Sequence, residues 1–163
     1  MSEPRKQRPS PAAGLLKLWK QCEGLPFGRT LFSLLIGMRV PYSGSIGATV
    51  LTLEPGHVRL ALRDRNHVRN HLGSVHAVAL TNLGELASGL AMMAALPATV
   101  RGIVRGISIE FSKKARGTLV AESRVTVPAV TSDTELEVTA EVRDAQGEVV
   151  ATIRVQWKLG LAP

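Results

Sequence analysis

The chain has 163 residues, 45% of them hydrophobic and 20% charged, the balance of an ordinary globular protein and enough for one domain with its own core. Its single cysteine, Cys22, excludes an internal disulfide framework and suits a reducing cytoplasm. The net charge of +7 favours anionic partners such as lipid surfaces and phosphorylated cofactors. Three Phe, two Trp and one Tyr are too few for a base-stacking platform, so nucleic acid is not an expected partner.

Residues 1–11, MSEPRKQRPSP, have the composition of a disordered tail, and the domain proper is expected over 14–163, leaving 1–13 outside it. No apolar stretch of signal-peptide type opens the chain. Gly14–Gln21 and Arg29–Met38 read as two short amphipathic helices within 14–38, broken at Gly24-Leu25-Pro26. Leu15, Leu16, Leu18 and Trp19 beside Lys17 and Lys20 suit packing over one end of the domain. Contact with a membrane surface is the lesser alternative. Pro41-Tyr42-Ser43-Gly44 reads as a loop. Strands follow over Ser45–Glu54 and His57–Arg65, with Pro55-Gly56 as the turn and Val58, Leu60 and Leu62 on one face.

Asn70-His71-Leu72-Gly73-Ser74 is then a loop, and residues 75–96 form the central helix. Glu85 is the only Asp, Glu, Lys or Arg between Arg69 and Arg101, and apolar or small residues occupy every side. A helix apolar all round belongs in a core or a membrane. About 22 residues at roughly 1.5 Å each would span a bilayer, but Asn82, Glu85 and the strand patterns on both sides favour a core helix wrapped by a sheet. Four more alternating runs complete the chain. Ile103–Lys113 places Ile103, Arg105, Ile107, Ile109 and Phe111 on one face, and Thr118–Val127, Thr134–Arg143 and Glu148–Leu159 follow. One wet face and one buried face per strand mark an antiparallel sheet, and helix against such a sheet is α+β.

This order, with a buried helix after the second strand, resembles the hotdog fold over residues 29–159. Acyl-CoA thioesterases of that superfamily, particularly the phenylacetate-pathway-like branch, carry an Asn, a Gly, a His-Gly pair at the helix start and an acid nine residues after the His. Here Asn70, Gly73, His76 and Glu85 occupy those places. The phrases Gly73-Ser74-Val75-His76-Ala77 and Asn82-Leu83-Gly84-Glu85 most resemble the thioesterase-like branch called DUF4442. Two positions depart from the pattern: Ala77 stands for the usual Gly, and Glu85 for the usual Asp.

Thioester hydrolysis needs a carboxylate, to activate water or to attack the acyl carbon, and fixed donors for the oxyanion. A helix start supplies free N–H groups and a favourable dipole. The resemblance implies that Glu85 of one subunit works with the Gly73–Ala77 backbone of its partner. Asn70 would position water or carbonyl. The expected assembly is a homodimer or a dimer of dimers acting on acyl-CoA or acyl-carrier protein, with coenzyme A entering as part of the substrate and no cofactor. Asn82 shares the face of Glu85 and would orient it or bond to backbone. Fixing the turn into the helix is the preferred role for His76, and capping the one for Ser74. His67, His71 and His76 lack the companions of a zinc site. Lys113, Lys114 and Arg116 suit the phosphates of coenzyme A or a solvated strand end. A non-catalytic acyl-thioester binding module on the same fold is the alternative that Ala77 motivates. A hydratase fits less well, because Asn70 stands where that branch carries a paired Asp and His. A membrane-peripheral structural protein built on the first helix and basic tail is the third reading.

Overall fold

The computed structural model describes residues 11–162. The reading of residues 1–10 as a tail lies outside them, whereas Pro11, Ala12 and Ala13 already belong to the first helix. The elements run α1 (Pro11–Glu23), α2 (Gly28–Arg39), α3 (Pro41–Gly44), β1 (Thr49–Glu54), β2 (His57–Leu62), α4 (Ala77–Ala95), β3 (Val100–Phe111), β4 (Leu119–Arg124), β5 (Thr134–Arg143) and β6 (Val149–Leu161). One antiparallel sheet takes the order β1-β2-β4-β5-β6-β3 and curves around α4. This is the α+β hotdog arrangement that the element order implies.

Alternation sets which side chains turn inward. Val58, Leu60 and Leu62 of β2 are fully buried, as are Ala151, Ile153, Val155 and Leu159 of β6. The β1–β2 turn closes at Gly56, whose positive φ of 73° suits glycine; a Cβ there would also lie 2.2 Å from the Val125 carbonyl oxygen. Between β5 and β6, the Asp144 carboxylate accepts from the Gln146 and Glu148 N–H groups, each at 3.0 Å. Lys113 pairs with that same Asp144 at 2.6 Å, and with Glu148. The ion pairs hold the Asp144 carboxyl below its usual range and raise the Lys113 ammonium.

Helix α4 approaches β6 closely because position 84 is glycine: a Cβ there would stand 2.5 Å from Ile153 Cγ1. Nearby, the Trp157 indole N–H donates to the Ser88 hydroxyl at 2.8 Å in the buried interior. Leu83, Ala87, Ala91 and Met92 of α4 have no exposure, while Val78 is 54% exposed. The helix is therefore covered on most sides but open along a stripe through Val78, Glu85 and Met93.

Several expectations need correction. Pro41–Gly44 is one helical turn, not a loop: Pro41 sits at the first helical position, where its fixed φ fits, and the Gly44 N–H donates to Val40 O at 2.9 Å. The first strand starts at Thr49, four residues later than its apolar run. Along β3 the pairing slips between Val104 and Gly106. Val104 faces Trp157 across the ladder and Ile107 faces Val155, so the slip puts Ile103 on the opposite face from Ile107, Ile109 and Phe111. Arg105 is the extra residue. Apart from these corrections, α1 turns its apolar face inward, as its preferred reading has it: Trp19 is buried and meets Phe32 edge-on, with ring centroids 5.0 Å apart, and Leu15, Leu16 and Leu18 pack on the core.

Candidate active site

The loop before α4 is built around Asn70. Its side-chain oxygen accepts from Leu72 N at 2.9 Å and Ser74 N at 3.2 Å, while its backbone oxygen accepts from Gly73 N at 3.2 Å. Gly73 has a φ of 67°, so it supplies the left-handed residue of that turn. Val75 N donates to Ala115 O at 2.9 Å, and His76 N to Val68 O at 2.7 Å. Asn70 is thus the organiser of the loop.

His76, not Ser74, is the N-cap of α4. Its Nδ1 accepts from Val78 N at 3.1 Å, which puts the proton of the neutral ring on Nε2. The Ser74 hydroxyl is buried and has no hydrogen-bond partner among the described residues. From Gly73 to His76 every N–H is engaged, so within Gly73–Ala77 only that of Ala77 has no acceptor among the described residues. Ala77 is the first residue of the helix, where an orphan donor and the positive end of the dipole coincide. A cavity of about 300 Å³ joins this point to Asn70, Ser74, Phe111, Lys113 and Lys114.

Glu85 stands eight residues further along α4, about 12 Å down the axis. It is half-buried, and no cation or donor among the described residues offsets its desolvation, so burial pushes its carboxyl above the ordinary range. One turn earlier Asn82 donates from Nδ2 to Tyr42 O at 3.3 Å. Its Oδ1 is buried without a partner among the described residues. A cavity of about 390 Å³ is lined by Glu85, Asn82, Thr81 and Val78 of α4, by Tyr42 and Ser43, and by Val104 and Ile107 of β3. The Glu85 carboxyl, with no donor among the described residues, therefore faces an apolar-walled space that Asn82 also lines. Such a group is costly unless something polar occupies that space.

Within one chain the residues named from sequence fall into two places. Asn70, Gly73, His76, Ala77, Lys113 and Lys114 gather at the helix start, and Glu85 and Asn82 at its middle. Lys113 is tied to Asp144 and Glu148, whereas Lys114 makes no ion pair among the described residues. Arg116 lies outside the cavity near Asp64, whose carboxyl is held low chiefly by Arg69, with a smaller contribution from Arg116. Sequence reasoning missed Tyr42, Val104 and Ile107, because they reach the site only through the α3 turn and the β3 bulge. Among the described residues no group of three His, Cys, Asp or Glu stands close enough to hold a metal.

Comparison with known proteins places this geometry in a family. The family model described as a domain of unknown function, DUF4442, matches residues 28–159. A crystal structure of a structural-genomics target is 29% identical with a TM-score of 0.78, covering 91% of this chain and 99% of its own. A Pseudomonas aeruginosa protein of unknown function, described as a probable thioesterase, is 26% identical with a TM-score of 0.73, covering 85% and 97%. A Streptococcus mutans protein bound to acetyl-CoA shares the fold at 20% identity and a TM-score of 0.59, covering 71% and 88%. No curated protein matches the sequence at a significant level. The chain belongs to the DUF4442 family and has the hotdog fold of its thioesterase-like structural relatives.

Proposed function

We propose that the protein is a cytoplasmic acyl-thioester hydrolase acting on acyl-CoA or acyl-carrier protein as a homodimer or a dimer of dimers. The observation that carries this is the donor-starved Glu85 carboxyl, facing a cavity on the open side of α4 that Asn82 also lines. A water there donates a hydrogen to Glu85. Its oxygen attacks the thioester carbonyl while Glu85 takes the proton; the tetrahedral oxyanion is met by the Ala77 N–H; the C–S bond breaks and the leaving thiolate takes the proton back from Glu85. Direct attack by the carboxylate, with water then hydrolysing the anhydride, uses the same groups.

Glu85 and Ala77 of one chain are too far apart for this, and a second copy supplies the missing half. Strand β3 is an edge, and Val78, Tyr42, Ile107 and Phe111 beside it are 54%, 72%, 42% and 52% exposed. A long edge with an apolar flank calls for a covering partner. Pairing at this edge would bring Glu85 of one subunit toward the helix start of the other. The acetyl-CoA held by the Streptococcus mutans protein supports a coenzyme A thioester as partner. Lys114 is the lysine left to meet its phosphates, and Ala77 leaves the N–H in place despite its methyl group.

The test is hydrolysis of short, medium, long and aryl acyl-CoAs by the native chain and by Glu85→Gln. A fall of about a hundredfold or more in the variant is expected, on the scale of general acid–base catalysis. Turnover unaffected by the substitution would remove Glu85 from the mechanism. Binding without turnover on any substrate would favour a non-catalytic acyl-thioester binding module.

A further inference from the structure

On the far side of Glu85 from β3 lies a second space, a groove of about 610 Å³ between α1, α2 and α4. Three helices each present a strip to it: Leu15 and Leu18 from α1, Leu35 and Ile36 from α2, and Leu86 to Met93 from α4. Trp157 adds a flat wall, because its indole N–H is already given to Ser88. Among the described residues, the only charged groups that line it are Glu85 and Arg39. Glu85 lines both this groove and the cavity at β3, so the two spaces meet at the carboxylate. The junction is open at Gly89: a Cβ there would have only Glu85 Oε1 nearby, at 3.9 Å.

We propose that this groove holds the acyl chain of the substrate, with α1 as one wall and Met93 setting the length accepted. The proposal rests on the thioesterase reading of Glu85. The groove runs along α4 from Glu85 to Met93, about 12 Å at the helical rise, which matches an extended medium-length acyl chain. Its volume is that of a small-molecule pocket, and its lining is aliphatic and aromatic. Residues 1–10 of the same chain are a poor rival occupant, since Met1 is their one large apolar side chain. The acyl carbon at Glu85 leaves the thiol side of the substrate in the cavity at β3, so chain and carrier occupy opposite sides of one carboxylate.

The experiment compares kcat/KM for butyryl-, decanoyl- and palmitoyl-CoA in the native chain, Met93→Trp, Met93→Ala and Leu18→Trp, with melting curves to confirm folding. Filling the groove from either wall is expected to lower the decanoyl-to-butyryl ratio at least tenfold, the discrimination an apolar pocket gives for one or two methylenes. Met93→Ala moves the preference toward palmitoyl-CoA and keeps the test alive if the tryptophan variants do not fold. A ratio unmoved in all folded variants overturns the proposal. Binding of a non-hydrolysable decanoyl-CoA thioether separates the two ideas. Affinity that depends on chain length and drops in Leu18→Trp upholds the groove even if no thioester is hydrolysed. Affinity indifferent to chain length overturns it even if hydrolysis is fast.

Discussion

The two faces of α4 carry opposite kinds of side chain and answer to opposite demands. Toward β2, β4 and β5 the helix shows Leu83, Ala87 and Ala91, fully buried, with Gly84 pressed on Ile153. Toward β3 and the first helices it shows Val78, Thr81, Glu85, Gly89 and Met93, which line cavities instead of packing. A core is close-packed and tolerates little change in volume. A working surface keeps space, and keeps polar groups unsatisfied until a ligand arrives. One helix does both because its length carries two registers of contact, and the contrast makes the substitutions along it predictable.

The largest stability loss is expected on the covered face. Leu83→Ala should cost about 2–5 kcal/mol in chemical denaturation, because a fully buried leucine leaves a cavity the sheet cannot close. Gly84→Ala comes next. The gain in helix propensity is about 1 kcal/mol, but the new methyl would lie 2.5 Å from Ile153 Cγ1 in a side chain with no exposure. Overpacking of about 1–3 kcal/mol wins, and the melting temperature falls. A stabilised Gly84→Ala would show that α4 sits less tightly on β6 than described.

On the open face the effects on stability are smaller and depend on pH. The folded chain holds the Glu85 proton to higher pH than the unfolded chain, because burial alone raises its carboxyl. In that window the native state binds more protons, so stability falls as pH rises from the ordinary carboxylate value through the raised one. Glu85→Gln should remove this slope, which denaturation at a series of pH values reads directly. Activity that needs the ionised carboxylate should fall on the acid side at a pH above the ordinary glutamate range. The smallest effect belongs to Val78→Ser, half-exposed, where the stability of one chain changes by about 0.5 kcal/mol or less. Its consequence is expected instead in self-association, seen as a dissociation on dilution in sedimentation experiments.

Much of the covered face was legible in the sequence, because burial writes itself as alternation in strands such as β5, whose bounds match the expected Thr134–Arg143. The bulge at Arg105 was not, since a one-residue slip reverses a face without disturbing composition. Glu85 stood out as the one Asp, Glu, Lys or Arg in a long apolar stretch. The open stripe around it did not, because a helix with small and apolar residues on all sides has no polar face to mark what the sheet leaves uncovered. His76 as a cap was anticipated only as a turn-fixing side chain, and Ser74 was given the cap on residue type alone. Lys113 read as a phosphate ligand or a solvated strand end, because its partners Asp144 and Glu148 lie on a distant turn that the β3–β6 pairing brings near.

The measurement that tests the central claim most directly is complementation between two inactive chains. Glu85→Gln lacks the carboxylate. Ala77→Pro lacks the free N–H, yet proline at the first helical position fits the backbone, because the preceding His76 is extended with φ −65° and ψ 141°. Each variant alone should be slower by about a hundredfold or more. If Glu85 of one subunit serves the helix start of the other, mixed dimers regain one complete site, and activity returns on co-refolding. Verified mixed dimers that stay inactive would contradict the shared site and leave Glu85 and Ala77 to separate roles.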